Sequence, residues 1–144
     1  MSSRKNNVST QRRLSKADYQ RLAEFRHHLR NFIAFSEKAA SEHGLTAQQH
    51  QALLAIKGAL APDVSMGDLA ERLAIKHHSA VGLVDRLAAH GLVERRPGLS
   101  DKRQVLLDIT EKAEDILAEL SHVHRQELRR IAPLLRQLID EFER

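Results

Sequence analysis

Three times in the first 70 residues a hydroxyl side chain stands three positions ahead of a carboxylate or carboxamide: Ser15 with Asp18, Thr46 with Gln49, and Ser65 with Asp68. At that spacing each side chain bonds the other residue's backbone amide and closes the first turn of a helix. Helix starts are thereby set at three places. Behind each, apolar residues recur at three- and four-residue steps. Tyr19, Leu22, Phe25, Leu29, Phe32 and Ile33 continue the first helix to Gly44, and Leu53, Leu54 and Ile56 continue the second, which ends before Pro62. Leu69, Ala70 and Leu73 form the third, a short one. With only six glycines and three prolines in 144 residues, the expected class is mostly α.

A brief turn at Ala74 to Lys76 predicts a further helix running to His90, stopped by Gly91, where a left-handed cap is common. The periodicity then changes. Residues 92–95 and 104–109 read as two short extended segments flanking Arg96-Pro97-Gly98-Leu99-Ser100-Asp101, which is a β-hairpin with a basic tip. Thr110 caps the next helix, and Glu111, Glu114 and Asp115 sit in the first turn, where the helix dipole favours acids. Ile116, Leu117, Leu120, Val123 and Leu128 form its apolar face. Pro133 is expected to break or kink it, leaving a last helix with Leu134, Leu135, Leu138, Ile139 and Phe142.

Helix, turn, helix, hairpin over residues 62–110 is the layout of a winged helix-turn-helix, whose second helix enters the DNA major groove while the hairpin wing approaches the adjacent backbone or minor groove. Around it the chain divides into a flexible basic tail at 1–17, N-terminal helices at 18–61 for dimerisation and support, and C-terminal dimerisation helices at 111–144. The charge follows this division. Arg4, Lys5, Arg12, Arg13 and Lys16 give the tail +5, whereas the remaining 127 residues hold 18 bases against 19 acids. The excess that sets the net charge of +4 thus belongs to the tail, which is either a solvated extension or a groove-reaching arm.

Within the nearly neutral body one stretch is basic: Arg95, Arg96, Lys102 and Arg103 stand against Asp101, a local +3 in nine residues. Arginine suits the electronegative minor groove and pairs bidentately with phosphate. Asp101, two residues before Arg103, is read as orienting an arginine through a charge-assisted hydrogen bond. On the preceding helix Ala80, Leu83, Val84 and Leu87 make the face that packs on Leu69 and Leu73. That leaves Lys76, His77, His78, Ser79, Val81, Gly82, Asp85 and Arg86 nearer the other face: Ser79 and the histidines for base edges or phosphates, Gly82 for close approach, Lys76 and Arg86 for phosphate. A merely solvated face, and hairpin charges that only prevent edge-to-edge pairing, are the alternatives.

The runs Leu69-Ala70-Glu71-Arg72-Leu73, Leu83-Val84-Asp85-Arg86-Leu87, Gly91-Leu92-Val93-Glu94-Arg95-Arg96-Pro97, Ser100-Asp101-Lys102-Arg103 and Asp108-Ile109-Thr110 together resemble the MarR family of bacterial regulators, in order and spacing. The resemblance extends over about residues 18–144. Ile109-Thr110 replaces the Leu-Thr of many members. The resemblance implies a homodimeric transcription factor, usually a repressor, on a pseudo-palindromic operator, commonly released by a small aromatic or phenolic ligand. It also implies a recognition helix at about Lys76 to His90, a wing at Arg95 to Arg103, and Asp101 with Arg103 as the wing signature.

A single helix-turn-helix reads too few base pairs to be selective, so a dimer on two half-sites one turn apart is expected. Leu22, Phe25, Leu29, Leu120, Val123, Leu128, Ile131, Leu135, Leu138 and Phe142 are the candidate interface; closing one monomeric core is the other use for them. His28, Phe32, Phe35 and Met66 are the candidate ligand pocket. Metal binding is not expected: His27 with His28, His77 with His78, and His122 with His124 diverge on a helix, leaving Glu24 with His28 and Glu119 with His122 as the suitable local pairs. No phosphate loop, nucleophile elbow or paired-carboxylate motif suggests catalysis, and no cofactor is expected. The absence of cysteine excludes disulfides, a thiol nucleophile and thiol-based peroxide sensing. With no spanning or signal segment, the protein is read as cytoplasmic. The alternative function is an architectural, sequence-indifferent DNA binder.

Overall fold

The computed structural model describes residues 13–144; Arg4, Lys5 and Arg12 of the expected tail lie outside them. The elements run α1 (Lys16–Glu42), α2 (Ala47–Lys57), β1 (Val64–Ser65), α3 (Met66–Leu73), α4 (His77–Ala89), β2 (Val93–Pro97), β3 (Val105–Ile109) and α5 (Glu111–Phe142). All three capping boxes form. Ser15 Oγ accepts the Asp18 amide and Asp18 Oδ2 accepts the Ser15 amide; Thr46 with Gln49 and Ser65 with Asp68 repeat the exchange. The first box starts its helix at Lys16, so Lys16 and Ala17 of the expected flexible tail are helical.

The core lies where α2, α3, α4, the sheet and the first half of α5 converge, with Leu53, Leu69, Leu83, Leu87, Leu120 and Val84 its largest fully buried side chains. Each such leucine contributes about 1.5–3 kcal/mol by leaving water. The sheet has three strands, in the order β1-β3-β2, all antiparallel. Its edge strand β1 is two residues long, with Val64 opposite Leu107 and Ser65 opposite Leu106. Too short for any period, it ties the foot of the hairpin to the start of α3.

Two expectations fail here. Pro133 does not end a helix: α5 is continuous over 32 residues. The missing amide would have bonded the Arg129 carbonyl, but Pro133 and Arg129 are both exposed, a position at which a freed carbonyl is open to solvent. Among the described residues there is therefore one C-terminal helix, not two. Leu120 and Ile131, expected at a dimer interface, are buried inside the single chain, and Val123 packs against its core. The other seven candidates stay partly or well exposed along α1 and α5, with Leu22, Leu29, Leu128 and Phe142 at 40–46%. Tyr19, Ile33, Leu134 and Ile139 add to the exposed apolar surface of the same two helices.

Candidate nucleic-acid interface

The turn between α3 and α4 is made by Ala74, whose φ of 53° puts a Cβ-bearing residue in the left-handed region. The reversal is held by Ala74 N–H on the Glu71 carbonyl and Ile75 N–H on the Ala70 carbonyl. It brings α4 across α3 with Ala80, Leu83, Val84 and Leu87 buried. Lys76, His77, His78, Ser79 and Arg86 are exposed on the opposite side, and Gly82 is half-buried under the Arg86 guanidinium. No side chain caps the α4 N-terminus, so its first amides are left to water or to an anion.

The wing is β2, β3 and the seven-residue tip between them, Gly98 to Gln104. Gly98 is the residue the tip cannot exchange: its N–H bonds the Gln104 carbonyl, and a Cβ there would come within 2.5 Å of the Asp101 carbonyl oxygen. Asp101 does orient the tip, though not in the expected way. Its carboxylate accepts the Arg103 backbone N–H at 3.0 Å and makes no ion pair with the Arg103 guanidinium, so it fixes the chain direction and leaves the cation free.

The four wing cations accordingly differ. Arg95 pairs with Asp85 of α4, tying the wing to that helix. Arg96 lies between Asp63, just before β1, and Asp108 of β3 at 2.8 Å. The hydrogen bond it donates to Asp63, then that to Asp108, holds this guanidinium even more firmly protonated than usual. The pairing of Asp63, Asp85 and Asp108 with wing arginines could not be read from the sequence, because the partners are 33, 10 and 12 residues away. Lys102, Arg103, Lys76 and Arg86 have no acidic partner among the described residues. Between the α4 start and the wing runs a groove of about 500 Å³, with His77 and Val81 on one wall and Arg95, Arg103 and Gln104 on the other.

The four expected ligand-pocket residues are not brought together. Met66 is buried at the α3 start and lines the wing groove, while His28 lines a separate cleft with Leu134 and Leu138. Phe35 lies edge-on to His124. Phe32 alone opens on a larger groove of about 640 Å³, with Leu54, Leu128 and Ala132 as apolar wall and Arg125 and Arg129 as cations. Its polar members, Ser36, His50 and His124, come from α1, α2 and α5 and went unrecognised because nothing in sequence links them. Glu119 pairs with His43 at 3.0 Å, not with His122, and Glu24 reaches His28 at 3.8 Å. Among the described residues no cluster of three or more His, Asp or Glu is arranged to hold a metal ion, and no helix is long and apolar enough to cross a membrane.

Residues 43–104, from the end of α1 through the wing tip, match the model of the MarR family. Among solved structures the chain is similar to AbsC, a MarR family transcriptional regulator from Streptomyces coelicolor, at 21% identity over 83% of this chain and 80% of that one, TM-score 0.68. It is similar to apo MarR from E. coli at 19% identity over 91% and 98%, TM-score 0.65. The MepR–DNA complex of S. aureus matches at 12% identity over 91% and 92%, TM-score 0.68. The fold is the winged helix of MarR structures, mostly helical with a small antiparallel sheet.

Proposed function

We propose that this chain, a MarR family protein over residues 43–104, is a sequence-specific DNA-binding transcriptional regulator that works as a homodimer on a pseudo-palindromic operator and represses until a small ligand releases it. The observation that carries this reading is the unpaired basic surface shared by α4 and the wing. Lys76, Arg86, Lys102 and Arg103 lack acidic partners among the described residues, and His77, His78 and Ser79 are exposed beside them. In this reading α4 enters the major groove, with His77 to Ser79 at base edges and Gly82 allowing close approach, while Lys102 and Arg103 neutralise phosphates or enter the flanking minor groove. Arg95 and Arg96 serve as positioning residues: they spend their charge on Asp85, Asp63 and Asp108 and hold the wing against α4 and β1.

The exposed apolar residues along α1 and α5 support self-association, since a soluble monomer rarely leaves such a surface uncovered. Chain ends 18–42 and 111–144 then pair two copies so that two α4 helices address half-sites one turn apart. The groove at Phe32, Leu54 and Leu128, with Arg125 and Arg129 beside it, suits a small aromatic or phenolic anion. Selection of bound duplexes from a random pool tests the reading. Enrichment of an inverted repeat with half-site centres about one helical turn apart is expected; an unenriched pool bound equally well would establish the sequence-indifferent alternative instead.

A further inference from the structure

Outside the DNA-facing surface, the densest meeting of titratable groups is where α1, α2 and α5 join. His50, on α2, is only 5% exposed, and its ring centroid lies 5.0 Å from that of His124, on α5. His124 is in turn held from three sides. Its Nδ1–H donates to the Leu120 carbonyl at 2.6 Å, which leaves Nε2 of the neutral ring to accept from Ser36 Oγ–H at 2.7 Å. Phe32 and Phe35 of α1 meet its ring edge-on at 5.9 and 5.5 Å. Two neutral imidazoles at this distance are compatible; two imidazoliums are not.

We propose that the His50–His124 contact is a proton-operated latch, closed when the pair is neutral and opened by acid, which joins the dimerisation helices to the helix that leads into the DNA-binding half. The charged and titratable groups around it make the response one-sided. His43, at the end of α1, is already matched to Glu119 of α5, so that carboxylate is engaged elsewhere. Arg125 and Arg129 are the charged residues of the adjoining groove on α5, so the groove brings no carboxylate to His50. From α2 the groove adds only the neutral Gln51 and Leu54. Among the described residues no carboxylate or carbonyl bonds to the His50 ring. Burial, then His124, then His43 holds the His50 imidazole below the ordinary histidine range.

The sign follows from linkage. A histidine whose folded pKa is depressed binds its proton more readily once released, so acidification through and below the ordinary value of 6.5 favours the state in which His50 has left His124. At a ring separation of 5.0 Å, charge on one member of the pair disfavours charge on the other. The ring contact thus holds at most one charge. Opening separates α5 from α2 and loosens the wall of the groove that Phe32, Leu54 and Leu128 form. The effect on DNA rests on the regulator function proposed above, whereas the latch is a property of the chain alone.

The test uses the full chain at pH 7.5 and 5.5. NMR titration of the histidine ring protons should show His50 protonating below the ordinary range and moving back towards it in His124→Gln. Hydrogen exchange, corrected for the intrinsic pH dependence, should be faster at pH 5.5 for amides of α2 and of α5 around residue 124. His50→Gln should abolish that acid-induced difference; should this variant fail to fold, His124→Gln reads the same loss. On a duplex selected at pH 7.5, wild-type affinity should fall about three- to tenfold at pH 5.5, the range for up to one linked proton, and the fall should disappear in His50→Gln. A His50 that titrates at the ordinary value, or acid-induced exchange that persists in His50→Gln, overturns the latch. No DNA binding at either pH, with the exchange difference intact, overturns the regulator function and leaves the latch standing.

Discussion

Arg103→Ala and Arg96→Ala each delete one wing cation, yet they should behave differently in a single measurement. The Arg103 guanidinium has no acidic partner among the described residues, whereas that of Arg96 is clamped by Asp63 and Asp108. A cation on phosphate releases counterions, and its loss flattens the plot of log affinity against log salt by about 0.9 per contact. A homodimer carries the substitution twice, so Arg103→Ala should flatten the slope by about 1.8. Between 50 and 200 mM salt that removes about 12-fold from the wild-type loss of affinity. Arg96→Ala should instead weaken binding at every salt with the slope unchanged, because the wing shifts against β1 while no phosphate contact is lost. Asp63→Asn with Asp108→Asn should act in the same direction. Fluorescence anisotropy with a selected duplex over that salt range measures all three. Equal flattening by Arg96→Ala, or tighter binding when the two aspartates are neutralised, would refute the assignment of Arg96 as a positioning residue. Arg95, paired to Asp85, should follow Arg96.

Other outcomes follow from individual residues. Ala74→Gly should raise stability by about 0.5–1 kcal/mol in urea unfolding, because it removes a Cβ from a left-handed position. Pro133→Ala should raise it by about 1–3 kcal/mol, restoring an amide in the middle of α5, and leave DNA affinity unaltered. Leu22→Asp with Phe142→Asp should convert a dimer into a monomer in sedimentation at micromolar concentration; a wild type that sediments as a monomer there would remove the dimer from the account. His43 has its pKa raised, chiefly by the hydrogen bond to the Ala39 carbonyl and also by Glu119. Its contribution is complete below the ordinary value of 6.5 and lost as pH rises through the raised one. His43→Gln should therefore lose more stability than wild type between pH 8 and pH 5.5, and His50→Gln less, in urea titrations at the two pH values.

Local chemistry was legible in the sequence and remote pairing was not. The capping boxes, the Gly91 stop at φ 69° and the change of period after it located α1 to α4 and the hairpin within a few residues, since each signal acts across one turn. Pro133 misled because a proline's cost depends on whether its orphaned carbonyl reaches water, and that is decided by which face of α5 it occupies. β1 is too short to show alternation. At the site, exposure of His77, His78, Ser79 and Arg86 could be read from the helix period. The clamps on Arg95 and Arg96 could not, since Asp63, Asp85 and Asp108 are brought to them by the sheet and the α3–α4 reversal. The same holds for Ser36, His50 and His124, which come from three helices.

Competition at fixed salt between a duplex selected for binding and its scrambled counterpart is the most direct test of sequence-specific recognition by α4 and the wing. The account predicts a preference of at least about 10³ for the selected duplex, reduced when His77 to Ser79 are replaced. Equal affinity for the two duplexes would contradict it.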